Sequence, residues 1–124
     1  MTRWSATLEG RVISLKNSKR VVRAGGRTIV LPSKAHQAFL ERALPQLLPY
    51  RPSEPFAFPY DLYLTFHLKG KLDADIDNLS ASVSDLLMDA RIIADDKHCV
   101  RLVAEKRAGA ADFRTAIALV EREV

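Results

Sequence analysis

The clearest alternation of apolar and polar positions runs over residues 60–68, with Leu62, Leu64, Phe66 and Leu68 on one face and Tyr63, Thr65 and His67 on the other. A period of two predicts a strand with one buried face. The period then lengthens. Leu79, Val83, Leu86, Leu87 and Ala90 form one stripe and predict a helix over residues 78–91. A second stripe, Ala35, Phe39, Ala43 and Leu47, predicts a helix from an N-cap at Ser33 to about Leu48, which Pro45 ends or kinks. Residues 19–30 predict a hairpin turning at Ala24-Gly25-Gly26, because paired glycines supply the positive φ angles of a tight turn. Residues 4–13 and 100–105 predict further strands, and residues 113–120 a strand or an alanine-rich helix. Residues 49–59 form a proline-rich connection. The sum is an α+β fold, a single domain over residues 1–124 with helices packed on one mixed sheet.

Composition adds boundaries rather than chemistry. Hydrophobic residues make up 48%, enough for a core and against wholesale disorder. Charged residues interrupt every apolar run, so no bilayer-spanning segment is expected. The opening residues MTRWSATLEGR lack the apolar core of a secretory signal, and the lone Cys99 forms no intrachain disulfide, so a cytoplasmic location is expected. The net charge of +4 is modest, but its distribution is not even. Arg3, Arg11, Lys16, Lys19, Arg20, Arg23, Arg27 and Lys34 face only Glu9 in the first 36 residues. Over residues 72–96, Asp73, Asp75, Asp77, Asp85, Asp89, Asp95 and Asp96 face only Arg91. A basic arm with an acidic focus suits an enzyme that acts on a polyanion with the help of cations. Solvated faces of an ordinary protein account for the charge blocks equally well.

The aspartates are the candidate chemistry. In an extended chain Asp73, Asp75 and Asp77 point the same way, and Asp95-Asp96 follows eighteen residues after Asp77. Clustered carboxylates repel one another unless a cation neutralises them, and hard oxygen ligands suit Mg²⁺. Capping of the following helix by Asp77 or Asn78 explains an aspartate in this place without any metal, and Asp95-Asp96 alone reads as a turn. A fourteen-residue helix is about 20 Å long. The acidic groups therefore flank its two ends, and either residues 92–97 return the chain or another subunit completes the site.

Asp75-Ile76-Asp77-Asn78-Leu79, then Asp85-Leu86, then Asp95-Asp96 and Val100, resembles the RusA family of Holliday junction resolvases. Lys16-Asn17-Ser18, the glycine hairpin and residues 33–42 are similar to that family's N-terminal portion. The resemblance implies a RusA-like homodimer, an endonuclease dependent on Mg²⁺ or Mn²⁺ that resolves four-way DNA junctions, of a kind often carried by prophages. It implies Asp75, Asp77 and Asp96 as metal-binding catalytic carboxylates with Asp95 in support. Lys16, Lys19, Arg20, Arg23, Arg27, Lys69, Lys71 and Lys97 are the expected DNA-binding residues. A C₂ dimer would match the two equivalent strands of a junction.

One departure matters. Where the family has a lysine four residues after the second aspartate, this chain has Ala81. Alanine cannot stabilise charge at a scissile phosphate. A junction-binding homologue with little cleavage, and a flap or fork nuclease of the same fold, are therefore the alternative expectations. The histidines show no metal-ligand spacing, no phosphate-binding glycine loop is present, and Cys99 reads as a structural thiol.

Overall fold

The computed structural model describes residues 1–14 and 19–123. Its elements run β1 (Arg3–Glu9), β2 (Lys19–Ala24), β3 (Arg27–Pro32), α1 (Lys34–Leu47), β4 (Tyr60–His67), α2 (Ile76–Asp89), β5 (Cys99–Arg107) and β6 (Arg114–Glu121). They build an α+β domain. Four strands form one mixed sheet in the order β1-β6-β4-β5, and β2 and β3 form a separate two-stranded ribbon.

β4 shows why the alternation is so clear. It lies inside the sheet, antiparallel to β6 and parallel to β5. Tyr60, Leu62, Leu64 and Phe66 are buried, and the residues between them are half-buried. The buried face meets both helices: Phe39, Ala43 and Leu47 of α1 share one core with Leu79, Val83, Leu86 and Leu87 of α2. The opposite face carries small side chains, Ser5, Thr7, Ala116 and Ala118, around Tyr63 and Thr65, and is shallowly grooved. β6 is a strand because both of its sides are paired, to β1 and to β4. That pairing overrides the helix propensity of its alanines.

The hairpin forms as expected. Ala24 pairs with Arg27 across Gly25 and Gly26, whose φ angles are +59° and +76°. Two successive positive φ values define the turn type that matches strand twist.

Other expectations are corrected. β1 ends at Glu9 rather than near Ile13, because Gly10 turns away at φ +98° while its amide bonds the Phe113 carbonyl at 2.9 Å. In α1 Pro45 does not end the helix, which runs on to Leu47. Pro45 is exposed, one turn from the end, so the carbonyl it deprives is that of exposed Glu41, within reach of water. The buried stripe of α1 begins at His36, not Ala35. His36 satisfies its ring through Nδ1 and the Ile13 carbonyl at 3.0 Å.

α2 begins at Ile76 and stops at Asp89, two residues short of the expected Arg91, because Arg91 adopts φ +60°. The Ile92 amide donates to Leu87 and the Arg91 amide to Met88, the bonding of a Schellman cap. Beyond it Ile92 and Ile93 are fully or almost fully buried. Phe56 holds this segment through a parallel bridge to Ile93, with N–H···O bonds of 2.8 and 2.9 Å to Ile92 and from Ala94. An arginine in left-handed geometry costs roughly 1–2 kcal/mol. Arg91→Gly should therefore stabilise the protein by about 1 kcal/mol. A urea midpoint that falls or stays unchanged in equilibrium unfolding would contradict this reading of the cap.

Candidate functional site

Asp75 is the N-cap of α2, a role the sequence analysis gave to Asp77 or Asn78. Its Oδ1 accepts from the Asp77 amide at 2.9 Å and the Asn78 amide at 3.2 Å. Asp77 sits in the first helical turn. The chain is thus not extended through residue 77, and Asp73, Asp75 and Asp77 do not share the single row that alternation predicts. All three are exposed. Carboxylates at a helix N-terminus are favoured by the helix dipole, so two charges sit there at low cost.

This end of α2 opens on a cleft of about 600 Å³ between residues 10–14, the 68–75 connection and the start of β6. Asp73 and Asp75 line it together with Arg11, Lys69, Lys71 and Arg114. Lys106 of β5 fixes its rim, because its Nζ donates to the Leu72 carbonyl at 2.8 Å and the Ala74 carbonyl at 2.6 Å. His67 also lines the cleft, and desolvation followed by the Arg114 and Arg107 guanidiniums lowers its pKa. The field there favours an anion beside the carboxylates. The Ser14 hydroxyl, on the cleft wall, is buried without a hydrogen-bond partner among the described residues.

Asp95 and Asp96 lie at the other end of α2. Asp95 caps the 3₁₀ turn Asp96–His98 by accepting from the Lys97 amide at 2.9 Å. That bond, ahead of the other local interactions, lowers its pKa. Asp96 is exposed and belongs electrostatically with the C-terminal half of the helix. Desolvation, then Asp96 and then Asp89, raise the pKa of Asp85, while His36 opposes them. Tyr60 is fully buried, and its hydroxyl has no hydrogen-bond partner among the described residues. Its pKa is pushed up by burial, with Cys99, Asp96 and Asp95 adding to the rise.

The fold therefore brings Asp75 and Asp77 together and keeps Asp96 and Asp95 apart from them. The return of residues 92–97 along the helix does not occur, because the buried isoleucines and the Phe56 bridge hold that segment beneath the C-terminal end of α2. Among the described residues no three of His, Cys, Asp and Glu form a group able to hold a metal ion. One protomer taken alone thus does not fit the three-carboxylate metal site expected from sequence.

The basic residues divide as well. Lys69 and Lys71 line the cleft, Lys97 stands at the far end beside Asp96, and Arg23 and Arg27 are exposed on the ribbon. Lys16 lies outside the described residues, and Lys19 and Arg20 are described only as members of β2. Sequence reasoning missed Lys106, Tyr60 and the participation of Arg11 and Arg114 in the cleft. Nothing in their local patterns marks them, since the sheet register brings them there. Cys99 is half-buried, and desolvation raises its pKa, which agrees with a structural thiol. No helix among the described residues is long and apolar enough to cross a membrane.

No family model matches this chain, and no curated protein matches it.

Asp85 provides a test of the electrostatics. Its folded pKa lies above its ordinary value of 3.8, so ionisation works against the fold. Its relative contribution is most favourable below 3.8 and is lost as pH rises through the raised pKa. Asp85→Asn should raise the melting temperature at pH 7 in EDTA, and the gain should vanish once the medium falls below the ordinary carboxylate range. An equal gain at both pH values would show that the raised carboxyl pKa, set by desolvation and then by Asp96 and Asp89, is not its source.

Proposed function

We propose that this protein is an endonuclease acting on branched DNA, with four-way junctions as its substrate and Mg²⁺ or Mn²⁺ as its cofactor, working as a homodimer. The observation that carries the reading is the juxtaposition at the start of α2. Asp73 and Asp75 line a cleft together with Arg11, Lys69, Lys71 and Arg114, and Asp77 follows exposed in the first turn of α2. The resemblance of residues 75–96 to the RusA resolvases supports the same chemistry.

Each side chain has a definite task in this reading. Lys69, Lys71 and Arg114 hold backbone phosphates by charge without reading sequence. Arg23 and Arg27 extend the positive surface along the hairpin. Asp75, held by two backbone amides, keeps its orientation while Asp77 remains exposed beside it. Asp96 stands at the other end of α2, so one protomer taken alone does not assemble the three carboxylates expected at the metal. Ala81 is exposed one turn beyond Asp77, and its methyl group offers no charge to a departing or bridging oxygen. Binding with little cleavage is therefore the second reading, and Ala81 is the observation that favours it.

Synthetic four-way junction, duplex and single-stranded DNA, incubated with Mg²⁺ or EDTA, separate the two. Symmetric nicks confined to the junction and abolished by EDTA support cleavage. A junction shifted on a gel yet intact in Mg²⁺ supports binding alone. Equal affinity for all three DNAs would sink the branched-DNA assignment.

Two sets of variants sharpen the test. Asp77→Asn should lower the cleavage rate by more than about 100-fold, beyond the cost of disturbing an outer-shell partner, with junction affinity kept. Normal cutting by Asp77→Asn removes that residue from the site. Replacing both Lys69 and Lys71 by alanine should reduce the slope of log affinity against log salt by about 2, one phosphate contact for each lysine. Ala81→Lys should raise the rate at constant affinity, and an unchanged rate would end the argument from Ala81.

A further inference from the structure

We infer that the β2–β3 ribbon enters the major groove of a DNA arm, and that Val21 and Val30 meet thymine methyl groups there. This contact rests on the DNA-binding part of the reading above and requires neither a metal nor cleavage.

The ribbon stands apart from the rest of the fold. Its two strands form a sheet of their own. At its turn, a Cβ on Gly25 or Gly26 would meet no atom of the described residues within 4 Å. Strands of six residues make the ribbon about 20 Å long. A two-stranded hairpin is marginal on its own in water. Yet this one leaves its apolar side chains open, with Val21 66% exposed, Val30 58% and Ile29 38%. Val21 and Val30 are direct cross-strand partners, so they sit side by side on one face. Arg23 and Thr28 are the next pair along that face.

Charge selects DNA as the occupant. No aspartate or glutamate lies between Glu9 and Glu41, and the ribbon itself carries Lys19, Arg20, Arg23 and Arg27. Such a segment attracts phosphates along its whole length. Charge alone leaves the valines unexplained, since phosphate contacts need only basic groups. A protein partner suits them poorly. Stable interfaces bury about 800 Å² per partner around an apolar centre depleted of charge, whereas here an arginine adjoins the valine pair.

The major groove accounts for both features. It is about 12 Å wide and admits a two-stranded ribbon, whereas the minor groove is about 6 Å wide. Its floor presents one apolar group, the thymine methyl, and phosphates line its rims. Val21 and Val30 then lie on the floor while Arg23 and Arg27 reach the rims. The ribbon thereby adds base recognition to the backbone contacts made at the cleft.

Binding in EDTA to a duplex of alternating A·T pairs, made with thymine or with uracil, tests the contact. Uracil lacks only the methyl group. Wild type should prefer the thymine duplex by about fourfold for each methyl it buries. Equal affinity for the two duplexes overturns the groove contact and leaves the junction reading standing. Equal affinity for junction and duplex sinks the junction assignment, and a thymine preference then still supports the ribbon. Binding to no DNA overturns both.

Variants place the contact on the ribbon. Val21→Ser with Val30→Ser should abolish the thymine preference at an unchanged slope of log affinity against log salt. A preference that persists overturns the assignment to these valines, and a changed oligomeric state beside it gives the face to a protein partner. A slope that falls with the preference marks a melted ribbon, and Val21→Thr with Val30→Thr then decides. Threonine keeps the β-branched shape and gives up one methyl of each side chain, so the preference should fall at constant slope. An undiminished preference in that variant overturns the groove contact. Arg23→Gln with Arg27→Gln should weaken both duplexes alike and reduce the slope by about 2. An unchanged slope overturns the ribbon as the element that binds.

Discussion

The contact on which the rest of this structure depends is the burial of one stripe of α2 in the core it shares with α1 and β4. Leu79, Val83, Leu86 and Leu87 leave water together, each contributing about 1.5–3 kcal/mol as a buried apolar side chain. The helix is therefore fixed along its whole length between parallel strands. Asp75 secures its start by capping two amides, and the left-handed Arg91 secures its end. Once α2 is rigid, the positions of both acidic groups follow. One lies where the chain leaves β4, the other where it enters β5, with about 20 Å of helix between them.

That separation gives the charges of the chain their meaning. At the start of α2 the carboxylates of Asp73 and Asp75 share a cleft with Arg11, Lys69, Lys71 and Arg114. At the end of α2, desolvation first and then the neighbouring charges of Asp96 and Asp89 raise the pKa of Asp85. Repulsion of this kind is costly without a compensating cation or partner.

Several elements were legible because local pattern and tertiary need agree. β4 alternates since its two faces meet different surroundings, and α2 shows its stripe since one side alone is buried. The glycine pair declared its turn because no other residue adopts two positive φ values so readily. Less legible were the places where a distant contact overrode a local rule. Pro45 stays within α1 because the carbonyl it deprives is exposed, and His36 takes the stripe position because Ile13, far away in sequence, offers an acceptor. The strand character of β6 came from having neighbours on both sides, which its alanines do not announce.

The acidic residues show where reading the chain stops. Their identities, their spacing and the basic residues around them are properties of the sequence, and so is the length of the helix that separates them. Whether the chain doubles back is decided elsewhere. Ile92 and Ile93 enter the core, and Phe56 pairs with Ile93 across 37 residues of sequence. No local pattern encodes that bridge, since it depends on where the proline-rich connection passes beneath the sheet. Sequence by itself determined an α+β domain with two acidic groups and a basic surface. Tertiary structure alone decided that Asp75 lines a cleft at one end of α2, with Asp77 in the helical turn beside it, while Asp96 stands at the opposite end, because hydrophobic burial is indifferent to sequence distance and fixed the helix between them.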